Sequence, residues 1–210
     1  LGRAYWNAHN AAANYAIANR WVMMEAVGEA VGLVFDKAIA PFYEISHNLV
    51  QEESVRGPDG QYQKRLVHRK GSTRAMPASH PDLRRTKWAE TGHPALIPGS
   101  MFHGAAILWP QDKAHQAACS VNHGSGRVMG RGQAKRELAA IHDEIDDQMN
   151  TVKRTFDGAE IEGILSNQRR IPLDECGEVY KDLDEVLAVL EMEGIAKIGS
   201  RLWPVANIKG

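Results

Sequence analysis

The segment Ser120-Val121-Asn122-His123-Gly124-Ser125-Gly126-Arg127 sets one imidazole directly ahead of two glycines, a hydroxyl and a guanidinium. Glycines beside a histidine leave room for a large group to approach its ring. Successive backbone N–H groups in such a loop can form an anion-binding nest, and Arg127 can add a bidentate phosphate contact. A neutral imidazole attacks phosphorus when another group fixes its tautomer. A glycine-rich turn with one surface histidine has the same sequence, and the pattern alone does not choose between them.

Four further segments carry candidate chemistry. Tyr43-Glu44-Ile45-Ser46-His47-Asn48 ends in a histidine and an amide, which can bind a metal and orient a neighbour. A satisfied structural histidine is the commoner outcome there, since no spaced partner ligand is near. His68-Arg69-Lys70-Gly71-Ser72-Thr73-Arg74 gathers cations and hydroxyls around a glycine, which suits an oxyanion or a solvated hairpin end. Its spacing is not that of a P-loop. In Ile97-Pro98-Gly99-Ser100-Met101 the proline fixes a dihedral and the glycine admits close backbone approach, to a ligand or simply within a tight turn. Lys209 lies one residue from the end, where side chains normally fray.

The elements that must position these residues form a mixed set. Ala4 to Val34 has helical spacing and many alanines, predicting one long helix packed closely on another element. Phe42 to Val50 and Tyr62 to His68 alternate in polarity around Gly57-Pro58-Asp59-Gly60, predicting a β-hairpin. Gly71 to Pro94 reads as a long surface loop, a type that is often functional. Ala95 to Pro98 and Ala105 to Trp109 read as short strands, Gln133 to about Met149 and Asp182 to Glu193 as helices, and Ala196 to Ile208 as β-like. Without regular βαβ alternation the expected class is α+β, with mixed sheets and flanking helices.

The 210 residues suffice for a real core, and 43% hydrophobic with 24% charged residues is ordinary for a globular protein. Net charge of -1 does not advertise nucleic-acid binding. Cations nevertheless cluster at Lys64, Arg65, Arg69, Lys70 and Arg74, at Arg84, Arg85 and Lys87, and at Arg127, Arg131, Lys135 and Arg136, while acids dominate from Asp174 to Glu193. Basic loops on a neutral protein fit phosphate or RNA contact, and equally fit solvated surface. Two cysteines, Cys119 and Cys176, give no disulfide framework and no Cys-x-x-Cys site, in keeping with a reducing cytoplasm. No apolar run is long enough to span a membrane and no signal peptide is visible. The first residue is Leu1, as expected of a piece of a longer protein.

In order, His47-Asn48, then His68 to Arg74, then Pro98-Gly99-Ser100-Met101, then His123-Gly124-Ser125-Gly126-Arg127, then Lys209-Gly210, resembles the RtcB family of RNA ligases. Asp174-Glu175-Cys176, Tyr180-Lys181-Asp182 and the alanine- and asparagine-rich opening helix are also similar. The resemblance covers essentially the whole chain. It implies an RtcB-like fold lacking the N-terminal half, with residues 1–210 as the C-terminal part of the catalytic domain. It implies a ligase dependent on GTP and Mn2+ that joins RNA 3′-phosphate or 2′,3′-cyclic phosphate ends to 5′-hydroxyl ends, in tRNA halves or broken RNA. His123 would be the nucleophile that carries GMP. His47 would be the one metal ligand from this part of the family. Asn48, Pro98, Gly99, Ser100, Met101, Gly124, Ser125, Gly126, Tyr180 and Lys209 match guanylate-contacting positions, and Lys70 and Arg127 fall where phosphate contacts are expected.

The chain departs from the family at Phe102, where a glycine is usual, and at Ala105, where a nucleotide-binding serine is expected. The family's remaining metal ligands lie upstream, and neither Cys119 nor Cys176 matches its ligand cysteine. A catalytically incomplete RNA-binding module is therefore the main alternative. A metal-dependent phosphoesterase using His47 and His123 is a weaker one, because such a site needs three or more ligands in register.

Overall fold

The computed structural model describes residues 2–156 and 158–208. Helix α1 (Gly2–Phe35) leads into a hairpin of β1 (Asn48–Arg56) and β2 (Tyr62–Lys70), followed by β3 (Ser72–Arg74). Strands β4 (Ala95–Pro98), β5 (Ala105–Pro110) and β6 (Ser120–Asn122) precede α2 (Arg131–Glu137) and α3 (His142–Thr151). After them come β7 (Lys153–Phe156), β8 (Ala159–Glu162), β9 (Leu165–Ser166), α4 (Leu183–Met192), β10 (Ala196–Leu202) and β11 (Ala206–Asn207). Helices and several small sheets thus alternate irregularly, a mixed architecture as expected.

The central sheet has the order β10-β5-β4, antiparallel throughout. Alternation along β5 buries Ala106 and Leu108 against Leu183, Leu187 and Leu190 of α4, with Ile97, Val121 and Ala196 completing the cluster. The Asp182 carboxylate caps α4 by accepting the Asp184 N–H at 2.7 Å. A second cluster joins α2, α3 and the 164–179 segment through Ala134, Ile145, Met149, Ile164, Leu173 and Val179. The helix expected over 133–149 is interrupted by a 3-10 turn at Ala139–Ile141, yet both pieces face this one cluster.

Three expectations need correction. The strand expected from Phe42 begins only at Asn48, because residues 42–46 run as irregular chain. Helix α1 has the expected bounds but buries no residue. Tyr15, Trp21, Val22, Met23 and Val27 are exposed around it rather than gathered in one stripe, so its alanines report helix propensity and not close packing. The 71–94 segment is not a surface loop: Thr73, Ala75, Met76, His80, Leu83 and His93 are buried. Backbone groups along it are paired inside, with β3 on β6, Ala75 N–H on the Cys119 carbonyl and His93 N–H on the Met76 carbonyl.

His93 is the costly member of that segment. Its Nδ1 is buried without a hydrogen-bond partner, and burial, helped by Arg74, His80 and Arg69, lowers its pKa from 6.5 to about 3. As pH falls below about 6.5 the unfolded imidazole takes a proton that the folded one refuses until about pH 3, so stability is lost across that window. Between pH 7 and 5 the loss from His93 is expected to be about 2 kcal/mol. Chemical denaturation at both pH values should show a shallower slope in His93→Gln by that amount. Equal slopes would show that His93 does not carry it.

Candidate functional site

The β2–β3 junction and the end of β6 converge on Gly71. The Gly71 N–H donates to the His47 carbonyl at 3.0 Å, and the Gly71 carbonyl accepts the His123 N–H at 3.3 Å. The same carbonyl lies 2.7 Å from His123 Nδ1. A carbonyl only accepts, so Nδ1 carries the proton and Nε2 keeps its lone pair. Gly71 has φ of 70°, and a Cβ there would sit 3.5 Å from the His123 ring. The His47 ring stacks on the His123 ring, with centroids 5.0 Å apart and planes 16° apart. Both rings are solvent-exposed on their outer sides. Desolvation lowers the His47 pKa, and His123, Arg20 and Lys70 push the same way, so the ring is neutral and able to ligate a cation.

The remaining site residues assemble around this pair. Asn48 opens β1 and pairs in register with Lys70, and both are exposed. The Pro98 carbonyl accepts the Ser125 N–H at 3.0 Å, joining the 98–101 turn to the histidine loop. A Cβ on Gly124 would lie 3.0 Å from that carbonyl, so glycine permits the approach. The Ser100 hydroxyl accepts the Phe102 and His103 N–H groups and bonds His103 Nδ1 at 2.8 Å, so it shapes the turn that carries Gly99 and Met101. The Gly126 carbonyl accepts the Lys181 N–H at 2.9 Å, which places Tyr180 beside the loop. The Ser125 hydroxyl is buried with no hydrogen-bond partner, an open polar valence within the loop. Lys209 lies outside the described residues.

Two cation expectations change. Arg69 is not a solvated cation: it is buried and meets both Glu53 carboxylate oxygens at 2.7 Å. Arg74 faces Gln51 at 3.0 Å, leaving Lys70 as the exposed cation of the three. Arg127 donates to the Met129 and Asp174 carbonyls and to the Tyr180 hydroxyl. It is a strut between the histidine loop and the 174–180 segment, unlike the open phosphate contact that the motif suggests. Burial raises the Tyr180 pKa, and its hydroxyl donates to Glu175 Oε2 at 2.5 Å.

The two departures also find places. Phe102 packs into the second core cluster beneath Arg154, whose guanidinium lies 5.2 Å from its ring, so its bulk is absorbed by core. Ala105 pairs with Pro98 in the β4–β5 register and offers no hydroxyl.

Sequence reasoning missed a second cluster. One ligand atom each from His80, His115 and Cys119 lie within 4.8 Å of one another. The available signal was His115 and Cys119 at a spacing of four, but His80 arrives from a distant loop. Burial pushes the Cys119 thiol up to about 12, which makes it a poor nucleophile.

Comparison with known proteins gives a consistent result. The family described as tRNA-splicing ligase RtcB matches residues 1–210. The RNA-splicing ligase RtcB of Mycobacterium tuberculosis is 35% identical over 211 residues, covering 100% of this chain and 45% of the relative. The tRNA-splicing ligase RtcB of Nanoarchaeum equitans is 36% identical over 217 residues, covering 98% and 42%. That of Aeropyrum pernix is 32% identical over 213 residues, covering 98% and 41%. The chain spans less than half the length of these relatives.

Proposed function

The chain belongs to the RtcB family of tRNA-splicing ligases, and from that premise we propose that it supplies the guanylate-carrying half of an RNA-ligase centre, with an RtcB-like fold and residues 1–210 as the C-terminal part of the catalytic domain. The reaction joins an RNA 3′-phosphate end to a 5′-hydroxyl end, in tRNA halves or broken RNA of the cytoplasm. A 2′,3′-cyclic end is first opened by water to the 3′-phosphate.

The observation that carries this reading is the 2.7 Å contact between His123 Nδ1 and the Gly71 carbonyl. With Nδ1–H held by the Gly71 carbonyl, the Nε2 lone pair of this exposed residue is the nucleophile. Nε2 attacks the α-phosphorus of GTP; an N–P bond forms and the P–O bond to pyrophosphate breaks. An RNA 3′-phosphate oxygen then takes the guanylyl group from Nε2. The 5′-hydroxyl attacks the activated 3′-phosphorus, its proton leaves, and GMP departs. Asn48, the 98–101 turn, the 124–126 loop, Tyr180 and Lys209 hold the guanylate, and the unpartnered Ser125 hydroxyl is an available donor. Lys70 supplies an exposed cation beside the two histidines for phosphate.

The exposed, neutral His47 ring beside His123 fits one donor position for Mn2+, and the ion needs further donors beside it. Bound manganese would offset triphosphate charge and make phosphorus more electrophilic. That single donor also favours the second reading, in which these residues act only as an RNA-binding module.

The test uses the full-length protein with α-labelled GTP and Mn2+. Peptide mapping is expected to find an acid-labile GMP adduct on the peptide containing His123. An adduct mapped to a lysine would overturn the nucleophile assignment. RNA binding with no adduct at all would favour the binding module.

A further inference from the structure

The groups this reading leaves unused lie at the other end of β6, where Cys119 precedes Ser120. We propose that His80, His115 and Cys119 form a separate metal centre that takes a zinc-class divalent cation and clamps the start of β6 to the 79–83 segment.

The three ligand atoms lie within 4.8 Å of one another, close enough for one ion to draw them in to tetrahedral edges. Cys119 Sγ lies 3.3 Å from His115 Nδ1. Bond lengths of about 2.3 Å for Zn–S and about 2.05 Å for Zn–N set the corresponding tetrahedral edge at roughly 3.5 Å. Only a few tenths of an ångström separate the two. The donor set of two imidazole nitrogens and one thiolate sulfur includes no carboxylate, which selects a borderline-soft ion over Mg2+ or Ca2+. On binding, the thiol releases its proton to solvent and a Zn–S bond forms.

The far sides of both rings are already held as ligating histidines require. His115 Nε2 lies 3.2 Å from the Tyr62 hydroxyl and 3.4 Å from Ser79 Oγ, and that serine hydroxyl donates to Asp112 Oδ1 at 2.6 Å. His80 Nε2 donates to the Ser54 carbonyl at 2.8 Å, which leaves its lone pair on Nδ1. That lone pair now accepts the Asp82 N–H at 3.2 Å, so loading exchanges a long cap contact for the ion. The backbone bends to aim the thiol: Ala118 and Cys119 have φ of 47° and 50°, and their N–H groups return to the His115 and Ala114 carbonyls. His80 and Cys119 are 1% and 4% exposed, while His115 is half-buried, so two of the three donors are shielded and the third stands nearer solvent. A fourth donor comes from water, as in three-ligand zinc sites.

The centre would have a mechanical role. The Cys119 carbonyl accepts the Ala75 N–H, and β6 runs from this point straight to His123. Fixing Cys119 therefore fixes the base of the strand that presents the nucleophile.

Zinc titration of metal-stripped full-length protein is the test, read by zinc content per chain and by the thiolate charge-transfer band of substituted Co2+. Cys119→Ser and His115→Gln are each expected to lose one zinc per chain, with the apparent Kd rising by at least about 100-fold, since even outer-shell changes cost up to that much. His115 is half-buried, so its variant keeps the fold if Cys119→Ser does not. His47→Ala should retain this zinc and its Co2+ band, which separates the centre from the manganese donor of the proposed ligase. Zinc content and Co2+ spectra identical in wild type, Cys119→Ser and His115→Gln would overturn the proposal. So would a wild-type protein that takes up no zinc; the trio would then be a hydrogen-bonded structural cluster.

Discussion

Alanine in place of His123 is expected to lower GMP transfer to the protein by at least about 10^3-fold, the scale seen when a nucleophile is removed from an enzyme. Stability should change by no more than about 1 kcal/mol, because the exposed ring contributes one side-chain hydrogen bond and a solvent-facing stack on His47 to the fold. The contrast is the informative part. A residue that only shaped the loop would lose activity in proportion to stability, whereas a nucleophile loses activity alone. His123→Asn sharpens the point, since its amide can still reach the Gly71 carbonyl while offering no lone pair on nitrogen for attack. Both variants should therefore unfold like wild type and fail to form the adduct. Measurable guanylylation in either, at more than about one hundredth of the wild-type rate, would move the nucleophile elsewhere.

Local signals in the sequence located the elements that hold this site, and long-range pairing decided its details. The Gly57 to Gly60 turn placed the hairpin, since it needs only residues close together in sequence. The α4 helix and its Asp182 cap were legible for the same reason. The motif order gathered His47, His123 and the 98–101 turn. What it could not give was the Gly71 carbonyl as the group that sets the His123 tautomer, because that contact spans 52 residues. Strands β7, β8 and β9 escaped notice because a two- to four-residue strand has too short a period to read, and β9 finds its partner β11 41 residues away, inside the segment read as β-like. The 71–94 segment looked like surface because its polar residues were counted as solvated. Their partners, such as the Ser54 carbonyl for His80, lie on the hairpin.

Arg69 is the sharpest case of that error and yields the largest expected loss of stability. In the sequence it is one cation in a basic run. In the structure its side chain is 4% exposed, that of Glu53 is 5% exposed, and the guanidinium fork meets both carboxylate oxygens. Its remaining donors reach Ser120 Oγ at 3.0 Å and the Ala118 and Cys119 carbonyls at 3.2 and 3.3 Å. One side chain thus ties the hairpin to the start of β6. Arg69→Met keeps the aliphatic length but strands the Glu53 carboxylate, with Arg74 Nη1 4.0 Å away as its nearest recorded cation. The expected cost is about 3–5 kcal/mol, the usual penalty for breaking a buried pair from one side. Removing both charges, in Arg69→Met with Glu53→Leu, should recover most of it, because no buried charge is then left without compensation. The Cys119 carbonyl keeps the Ala75 N–H and the Ala118 carbonyl keeps the Ser120 hydroxyl, but all three groups lose the Arg69 donor in both variants, so recovery stops short of wild type. Guanidinium denaturation of the four proteins of this cycle measures the coupling directly. A single-variant loss below about 1 kcal/mol would place the pair in the class of solvent-screened surface bridges and remove it as the anchor of β6.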